Sequence, residues 1–125
     1  MTNRICVSIL PKNVLEAVNL IEKAESAHAD LIEVRLDSLE TSRKLSDLVS
    51  HTKIPLIATN KLLSEKVNFS GTETERQKTL FNAAKNGFEY VDLDYSSPKL
   101  KAQIKELSAL GAKTIASFHK FDGSL

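Results

Sequence analysis

Residues 31–37 constrain the fold of this chain more than any other segment. Charged and apolar side chains alternate along it, so Glu33, Arg35 and Asp37 share one face and the aliphatic residues between them share the other. This period of two predicts a β-strand. Helical patterns flank the segment on both sides, which indicates a parallel sheet covered by protein on both faces. Because buried charges are costly unless they are paired or face a polar pocket, the segment predicts such a pocket on one face of the sheet.

The composition indicates one globular domain and excludes several classes of partner. The 125 residues include 17 basic and 16 acidic side chains and show no basic stripe, so we expect no nucleic-acid partner. No apolar run approaches the roughly 20 residues that span a membrane, so we expect no membrane contact. The N-terminus enters a predicted strand without a signal-peptide pattern, which predicts a cytoplasmic protein. Cys6 is the only cysteine, so neither an internal disulfide nor a cysteine-based zinc site is expected.

Five strand patterns alternate with four helix patterns along the whole chain. Asn13 is a predicted N-cap, Thr72 with Glu75 fits a capping box, and Gly87 and Gly111 fit positions just after helices. Short loops join the elements, as in repeated βα units. The predicted strands cover residues 5–9, 31–36, 55–60, 90–95 and 113–118, and the predicted helices cover residues 14–28, 42–50, 72–86 and 98–110.

An open doubly wound sheet and a closed eight-stranded barrel both use this alternation. The first strand-to-helix connection, residues 10–13, has no glycine, whereas nucleotide-binding open sheets usually have a glycine-rich turn there. Charged residues on the second and fourth strands also suit the mouth of a barrel. We therefore predict an α/β fold of the (β/α)₈ barrel type. Residues 1–125 would form a single domain that corresponds to the N-terminal portion, about four and a half βα units.

A half-barrel leaves strand edges unpaired and apolar surface uncovered. Three explanations remain open at this point: a piece of a longer gene product, a truncated chain, or two copies that cover each other as a homodimer.

Projecting each strand with period two predicts a set of inward-facing polar side chains. Arg35 and Lys61 could bind a carboxylate, and His119 could transfer protons near neutral pH. Two plainer interpretations stay open: Glu33 and Arg35 could form an exposed ion pair, and His119 could be an ordinary loop histidine. The predicted inward set is Ser8, Glu33, Arg35, Thr59, Lys61, Asp92, Asp94, Ser117 and His119.

Four segments, in the same order and at similar spacing, resemble the N-terminal part of the type I 3-dehydroquinate dehydratases. Members of that family are (β/α)₈ barrels. The most specific is residues 29–37, which is similar to the family's second strand. Residues 5–8 resemble a first strand that ends in a ligand-binding serine. Residues 55–59 followed by Glu65 resemble the third strand and its loop, and residues 117–121 resemble the segment that contains the catalytic histidine.

The resemblance implies a lyase of the shikimate pathway. Its reaction is the syn elimination of water from 3-dehydroquinate to 3-dehydroshikimate, through a Schiff base on a lysine. His119 would be the catalytic base and Glu65 its orienting partner, while Ser8, Glu33 and Arg35 would bind the substrate. Lys61 stands where the family usually has an arginine. No metal or organic cofactor and no partner other than the small-molecule substrate is implied.

The family's Schiff-base lysine lies on the sixth strand, beyond the five strands predicted here. We therefore expect little or no dehydratase activity from these 125 residues alone. One alternative is a non-catalytic half-barrel that binds a hydroxylated carboxylate. A different Schiff-base or phosphate-handling barrel enzyme is a further alternative.

Overall fold

A computed structural model describes residues 4–39, 45–61, 73–95 and 99–117. Its five strands form one parallel sheet in the order β1-β2-β3-β4-β5. Sequential order without reversal is the arrangement of a barrel, whereas a doubly wound sheet reverses its strand order. The strands are β1 Cys6–Ile9, β2 Leu31–Arg35, β3 Leu56–Thr59, β4 Tyr90–Asp94 and β5 Lys113–Ser117, and the helices are α1 Val14–Ser26, α2 Leu45–Ser50, α3 Glu73–Lys85 and α4 Leu100–Ala109.

The hydrophobic core lies between the sheet and its helices. Ile32, Val34 and Val91 are fully buried on the helix-facing side of the strands. They belong to the alternate set of strand positions, so the charged residues of the same strands lie on the opposite face. The buried residues that join this core from the helices and loops include Ile21, Leu48, Leu80, Phe88 and Leu107. The predicted partial barrel of α/β type is therefore confirmed.

Local capping signals explain where the helices begin and end. The Asn13 side chain accepts a hydrogen bond of 2.8 Å from the backbone N–H of Glu16, as an N-cap does. Helices α3 and α4 are followed by Gly87 and Gly111, with φ of +105° and +88°. Helix α1 is followed by His28 at φ +62°, although this left-handed region favours glycine. The predicted capping box of Thr72 involves a residue outside the described ranges.

The end of β2 differs from the prediction. The strand ends at Arg35, and Leu36–Ser38 form a single turn of 3₁₀ helix. The expectation that Asp37 continues the charged face of the strand is therefore wrong. The turn is fixed by Ser38, whose Oγ lies 2.7 Å from the carbonyl oxygen of Pro11 and 2.9 Å from that of Arg35.

The described helices are all too short to cross a membrane.

Candidate active site

The strand register brings polar side chains from successive strands to the face opposite the core. Ser8 lies beside Glu33, and Arg35 lies beside Thr59. An open cavity of about 340 Å³ lies on this face. The residues that line it are Cys6, Glu33, Arg35, Ile57, Lys61, Asp92, Ile115 and Ser117. Five residues of the predicted inward set, Glu33, Arg35, Lys61, Asp92 and Ser117, are therefore together around one cavity.

The Glu33 carboxylate is held by hydroxyl groups from the two neighbouring strands. Its Oε1 accepts a hydrogen bond of 2.6 Å from Ser8 Oγ, and its Oε2 accepts one of 2.7 Å from Thr59 Oγ1. Thr59 is buried. The two bonds fix the orientation of the carboxylate, and each oxygen keeps lone-pair capacity for a further donor such as a ligand hydroxyl.

The Arg35 guanidinium pairs with Asp37, and the possible ion pair with Glu33 is not formed. Arg35 Nε lies 2.9 Å from Asp37 Oδ1, and Nη2 lies 2.8 Å from Oδ2, which is a bidentate pair. The hydrogen bonds with Asp37 are the largest cause of a raised pKa at Arg35, so the guanidinium is positively charged at any working pH. Within the described ranges, Nη1 has no hydrogen-bond partner, so it can donate to a ligand.

Lys61 supplies the second cation at the cavity. Its Nζ lies 3.6 Å from Asp92 Oδ2, and both side chains are largely buried. Its backbone N–H donates to Asp37 Oδ1 at 3.3 Å. The carboxyl ends of β2 and β3 and the middle of β4 thus place two cations and the carboxylate of Asp92 around the cavity.

Cys6 is a cavity residue that the sequence interpretation missed. Desolvation raises the pKa of its thiol, and the nearby negative charge of Glu33 raises it further. The signal was available, because Cys6 lies two residues before Ser8 on β1. Ile57 and Ile115 were also missed, but for a different reason, because their apolar side chains gave no chemical reason to select them.

Three further residues of the predicted inward set, Ser8, Thr59 and Asp94, do not line the cavity. Ser8 and Thr59 reach it through their bonds to Glu33, whereas Asp94 is not among its lining residues. The two proposed catalytic residues, His119 and Glu65, lie outside the described residues, so their roles stay predictions.

The arrangement suits a small ligand that has both hydroxyl groups and a carboxylate. Arg35 Nη1 and Lys61 Nζ are donors that favour an anion. Glu33 and Asp92 are acceptors that favour hydroxyl groups. The apolar side chains of Ile57 and Ile115 line the remaining wall, as is usual for small-molecule cavities.

Comparison with known proteins finds relatives that share one name. The chain is 32% identical over 123 residues to a 3-dehydroquinate dehydratase of Methanothermobacter thermautotrophicus, covering 97% of this chain and 54% of the relative. It is 34% identical over 108 residues to the enzyme of Methanothrix thermoacetophila, covering 86% of this chain and 46% of the relative. The chain thus spans about half the length of the curated relatives it matches.

Solved structures show the same fold. A 3-dehydroquinate dehydratase of Geobacillus kaustophilus superposes with a TM-score of 0.87 at 15% identity, covering 100% of this chain and 53% of the other. A type I enzyme of Clostridium difficile superposes with a TM-score of 0.83 at 22% identity, covering 95% of this chain and 52% of the other. A model of the family described as type I 3-dehydroquinase matches residues 5–125. The chain therefore belongs to the type I 3-dehydroquinase family.

Proposed function

We propose that this chain forms the substrate-binding first half of a 3-dehydroquinate dehydratase active site. The single observation that supports this most directly is the cavity in which Glu33, Arg35, Lys61 and Asp92 meet. 3-Dehydroquinate is a hydroxylated carboxylate, and the cavity offers donors for an anion beside acceptors for hydroxyl groups. Family membership and curated relatives named 3-dehydroquinate dehydratase support the same substrate.

The residues divide into a binding group and a chemical group. Arg35 and Lys61 would bind the carboxylate, and Glu33, oriented by Ser8 and Thr59, would accept hydrogen bonds from hydroxyl groups. His119 would remove a proton from the carbon next to the ketone and assist the departure of the hydroxyl, with Glu65 orienting the imidazole. The ketone would be activated as an iminium on a lysine from a later strand of the barrel, and this group supplies the electron sink.

This division of labour predicts that residues 1–125, assayed alone, turn over 3-dehydroquinate slowly or not at all. Losing one member of a catalytic set that acts as a unit removes several orders of magnitude of rate. The assay incubates the chain with 3-dehydroquinate and follows the enone absorbance of the product. Turnover comparable with a full-length family member would contradict the proposed need for a later-strand lysine.

Binding can be tested separately from turnover. The ligand is quinate, in which an alcohol replaces the ketone, so that no Schiff base can form. Lys61→Met should weaken quinate binding by about tenfold, the scale of one charge-assisted hydrogen bond. Lys101→Met removes the same charge from an exposed position on α4 and should leave binding unchanged. If wild-type chain does not bind quinate, or if both variants behave alike, the proposed substrate site is wrong.

We also propose that the isolated chain associates with a second copy of itself. Within the described sheet, β1 and β5 are each hydrogen-bonded to a neighbouring strand on one side only. The large exposed apolar side chains that the structure describes belong to the first βα unit or to the last part of the chain. Exposed strand edges and apolar patches favour association.

A further inference from the structure

Asp37 connects the two cations of the cavity although it does not line the cavity itself. Its side chain is completely buried in the 3₁₀ turn Leu36–Ser38 that follows β2. Oδ1 accepts from Arg35 Nε at 2.9 Å and from the backbone N–H of Lys61 at 3.3 Å. Oδ2 accepts from Arg35 Nη2 at 2.8 Å. One carboxylate therefore bonds to the side chain of one cation and to the backbone of the other.

These bonds restrict how each cation can be presented. A guanidinium is planar, so two parallel hydrogen bonds to one carboxylate fix both its plane and its rotation. The bond to the Lys61 backbone ties the end of β3 to the same carboxylate, and thus fixes the point from which the lysine side chain extends. The amino group Nη1 of Arg35 stays available on the edge of the guanidinium that does not face Asp37.

The turn that contains Asp37 is itself fixed. Ser38 Oγ lies within hydrogen-bonding distance of the carbonyl oxygens of Pro11 and Arg35. Pro11 lies in the connection between β1 and α1, so the turn is attached to the neighbouring βα unit. Such a support keeps a binding group in place without touching the ligand.

From this geometry we propose that Asp37 is a positioning residue, which aligns Arg35 and Lys61 for a carboxylate-bearing ligand. The choice of ligand rests on the proposed function, whereas the alignment of Arg35 does not. Because the Asp37 side chain is completely buried, it acts through the two cations and makes no contact with the ligand.

Charge alone predicts the opposite effect of removing Asp37, and this makes the proposal testable. Asp37→Asn deletes a negative charge near an anion site, so simple Coulomb attraction would strengthen binding of an anion. If Asp37 positions the cations, binding should instead weaken, because the freed Arg35 side chain must be immobilised by the ligand. That ordering cost corresponds to about a two- to tenfold loss of affinity.

Glu22→Gln is the matched control. It also removes one negative charge, but from an exposed position on α1 that does not line the cavity, and it leaves the pair between Arg35 and Asp37 intact. We expect quinate binding to be unchanged in Glu22→Gln and weaker in Asp37→Asn. If Asp37→Asn binds quinate as tightly as wild type or more tightly, the positioning role is wrong.

A second measurement tests the alignment without any ligand. In ¹⁵N-labelled protein, the Nε–H group of Arg35 should be rigid and slow to exchange with water in wild type. In Asp37→Asn this group should become mobile and exchange faster. Arg76 serves as an internal reference, because its guanidinium donates to the Asn60 carbonyl oxygen at 2.9 Å. An Arg35 signal that keeps its rigidity in the folded variant overturns the proposal.

The outcomes separate this proposal from the proposed function. If wild-type chain does not bind quinate, the proposed function fails and the Arg35 signal alone decides the positioning role. If Asp37→Asn does not fold, Asp37→Glu replaces it. The longer side chain keeps both acceptors but displaces them, so it should give a smaller loss of affinity and of Arg35 rigidity. Wild-type behaviour of Asp37→Glu in both measurements counts against the proposal.

Discussion

At the scale of single residues, Glu33 shows how a carboxylate is accommodated on the inner face of a parallel sheet. Hydroxyl groups from both neighbouring strands donate to it, at 2.6 Å from Ser8 and 2.7 Å from Thr59. The charge is therefore stabilised by oriented dipoles, while Arg35 forms its ion pair with Asp37. This leaves the net charge of Glu33 available to a ligand, which a salt bridge with Arg35 would have reduced.

The two hydroxyl donors should differ in their contribution to stability. Thr59→Val keeps the shape of a buried side chain but leaves Glu33 without its Oε2 donor, and should lower the free energy of unfolding by about 1–3 kcal/mol. Ser8→Ala removes the Oε1 donor where water can replace it, because Ser8 is exposed, and should cost less than about 1 kcal/mol. Urea denaturation of both variants measures the difference. Equal losses would show that burial does not distinguish the two bonds.

Cys6 should report on the charge of Glu33. Desolvation and then Glu33 raise the pKa of the Cys6 thiol, so alkylation by iodoacetamide should reach half its maximum rate at a higher pH in the folded chain than in urea. Glu33→Gln removes the negative charge, favours the thiolate and should shift this midpoint to lower pH. Because the pKa of the thiol is higher in the folded chain than in the unfolded chain, the protonated thiol favours the folded state. This contribution to stability is lost as the pH rises from the unfolded pKa through the folded pKa. An unshifted midpoint in Glu33→Gln would contradict the assigned cause.

At the scale of secondary-structure elements, three helices end in the same hydrogen-bonded motif. After α1, α3 and α4, a residue with positive φ is followed by a buried residue whose backbone N–H returns to a carbonyl of the last turn. The bonds are Ala29 to Ala24, Phe88 to Ala83 and Ala112 to Leu107, each 3.0–3.1 Å long. This is the Schellman ending, in which glycine is favoured at the residue of positive φ. Two of the three positions are glycine and the first is His28.

Replacing His28 by glycine should stabilise the chain. The left-handed conformation costs an L-residue about 1–2 kcal/mol, while glycine adds flexibility to the unfolded chain, so we expect a net gain of about 0.5–1 kcal/mol. Gly111→Ala is the control: an added Cβ would meet no atom within 4 Å, so the loss of about 1 kcal/mol would come from conformation alone. Thermal unfolding of both variants measures the changes. A lower melting temperature for His28→Gly would mean that its imidazole contributes more than the backbone strain costs.

At the scale of the whole molecule, the described sheet is an open arc of five strands. The exposed large apolar side chains are confined to the two ends of that arc in the part of the chain that the structure describes. Ile5, Leu10 and Leu15 lie at the β1 end, while Tyr95, Ile104, Leu110 and Ile115 lie at or beyond the end of β4. In the described part of the middle units, by contrast, the large apolar side chains are buried or half-buried. The ends of the arc are therefore the surfaces where association is expected.

Sedimentation velocity should show association that increases with protein concentration. Leu15 is 73% exposed on α1, and Leu15→Lys should shift the population towards monomer because a charge opposes burial of that surface. Ser46→Lys adds the same charge at an exposed position on α2, away from both ends of the arc, and should leave association unchanged. A wild-type chain that stays monomeric and well folded at all concentrations would contradict the proposed association.

The sequence by itself determined the order of the elements and which strand residues share a face. The period of two requires only that the backbone be extended, so Glu33, Arg35 and Lys61 could be assigned to one side before any contact was known. The predicted strand starts agree with the structure to within one residue, from β1 through β5. Family membership could also be predicted, because the four motifs depend on residue identity and spacing alone.

Only the tertiary structure decided how the charges pair. Period two placed Asp37 beside Arg35 on the strand face, but the chain leaves the strand after Arg35 and the turn carries Asp37 into a buried position behind it. Likewise, the link between Asp37 and Lys61 joins residues 24 positions apart, and it exists because β2 and β3 are neighbours. The strand face that a side chain occupies is a local property of the backbone. Its ion-pair and hydrogen-bond partners depend on where the strands end and which segments they meet. The residue types of the site could therefore be predicted, but their partners could not.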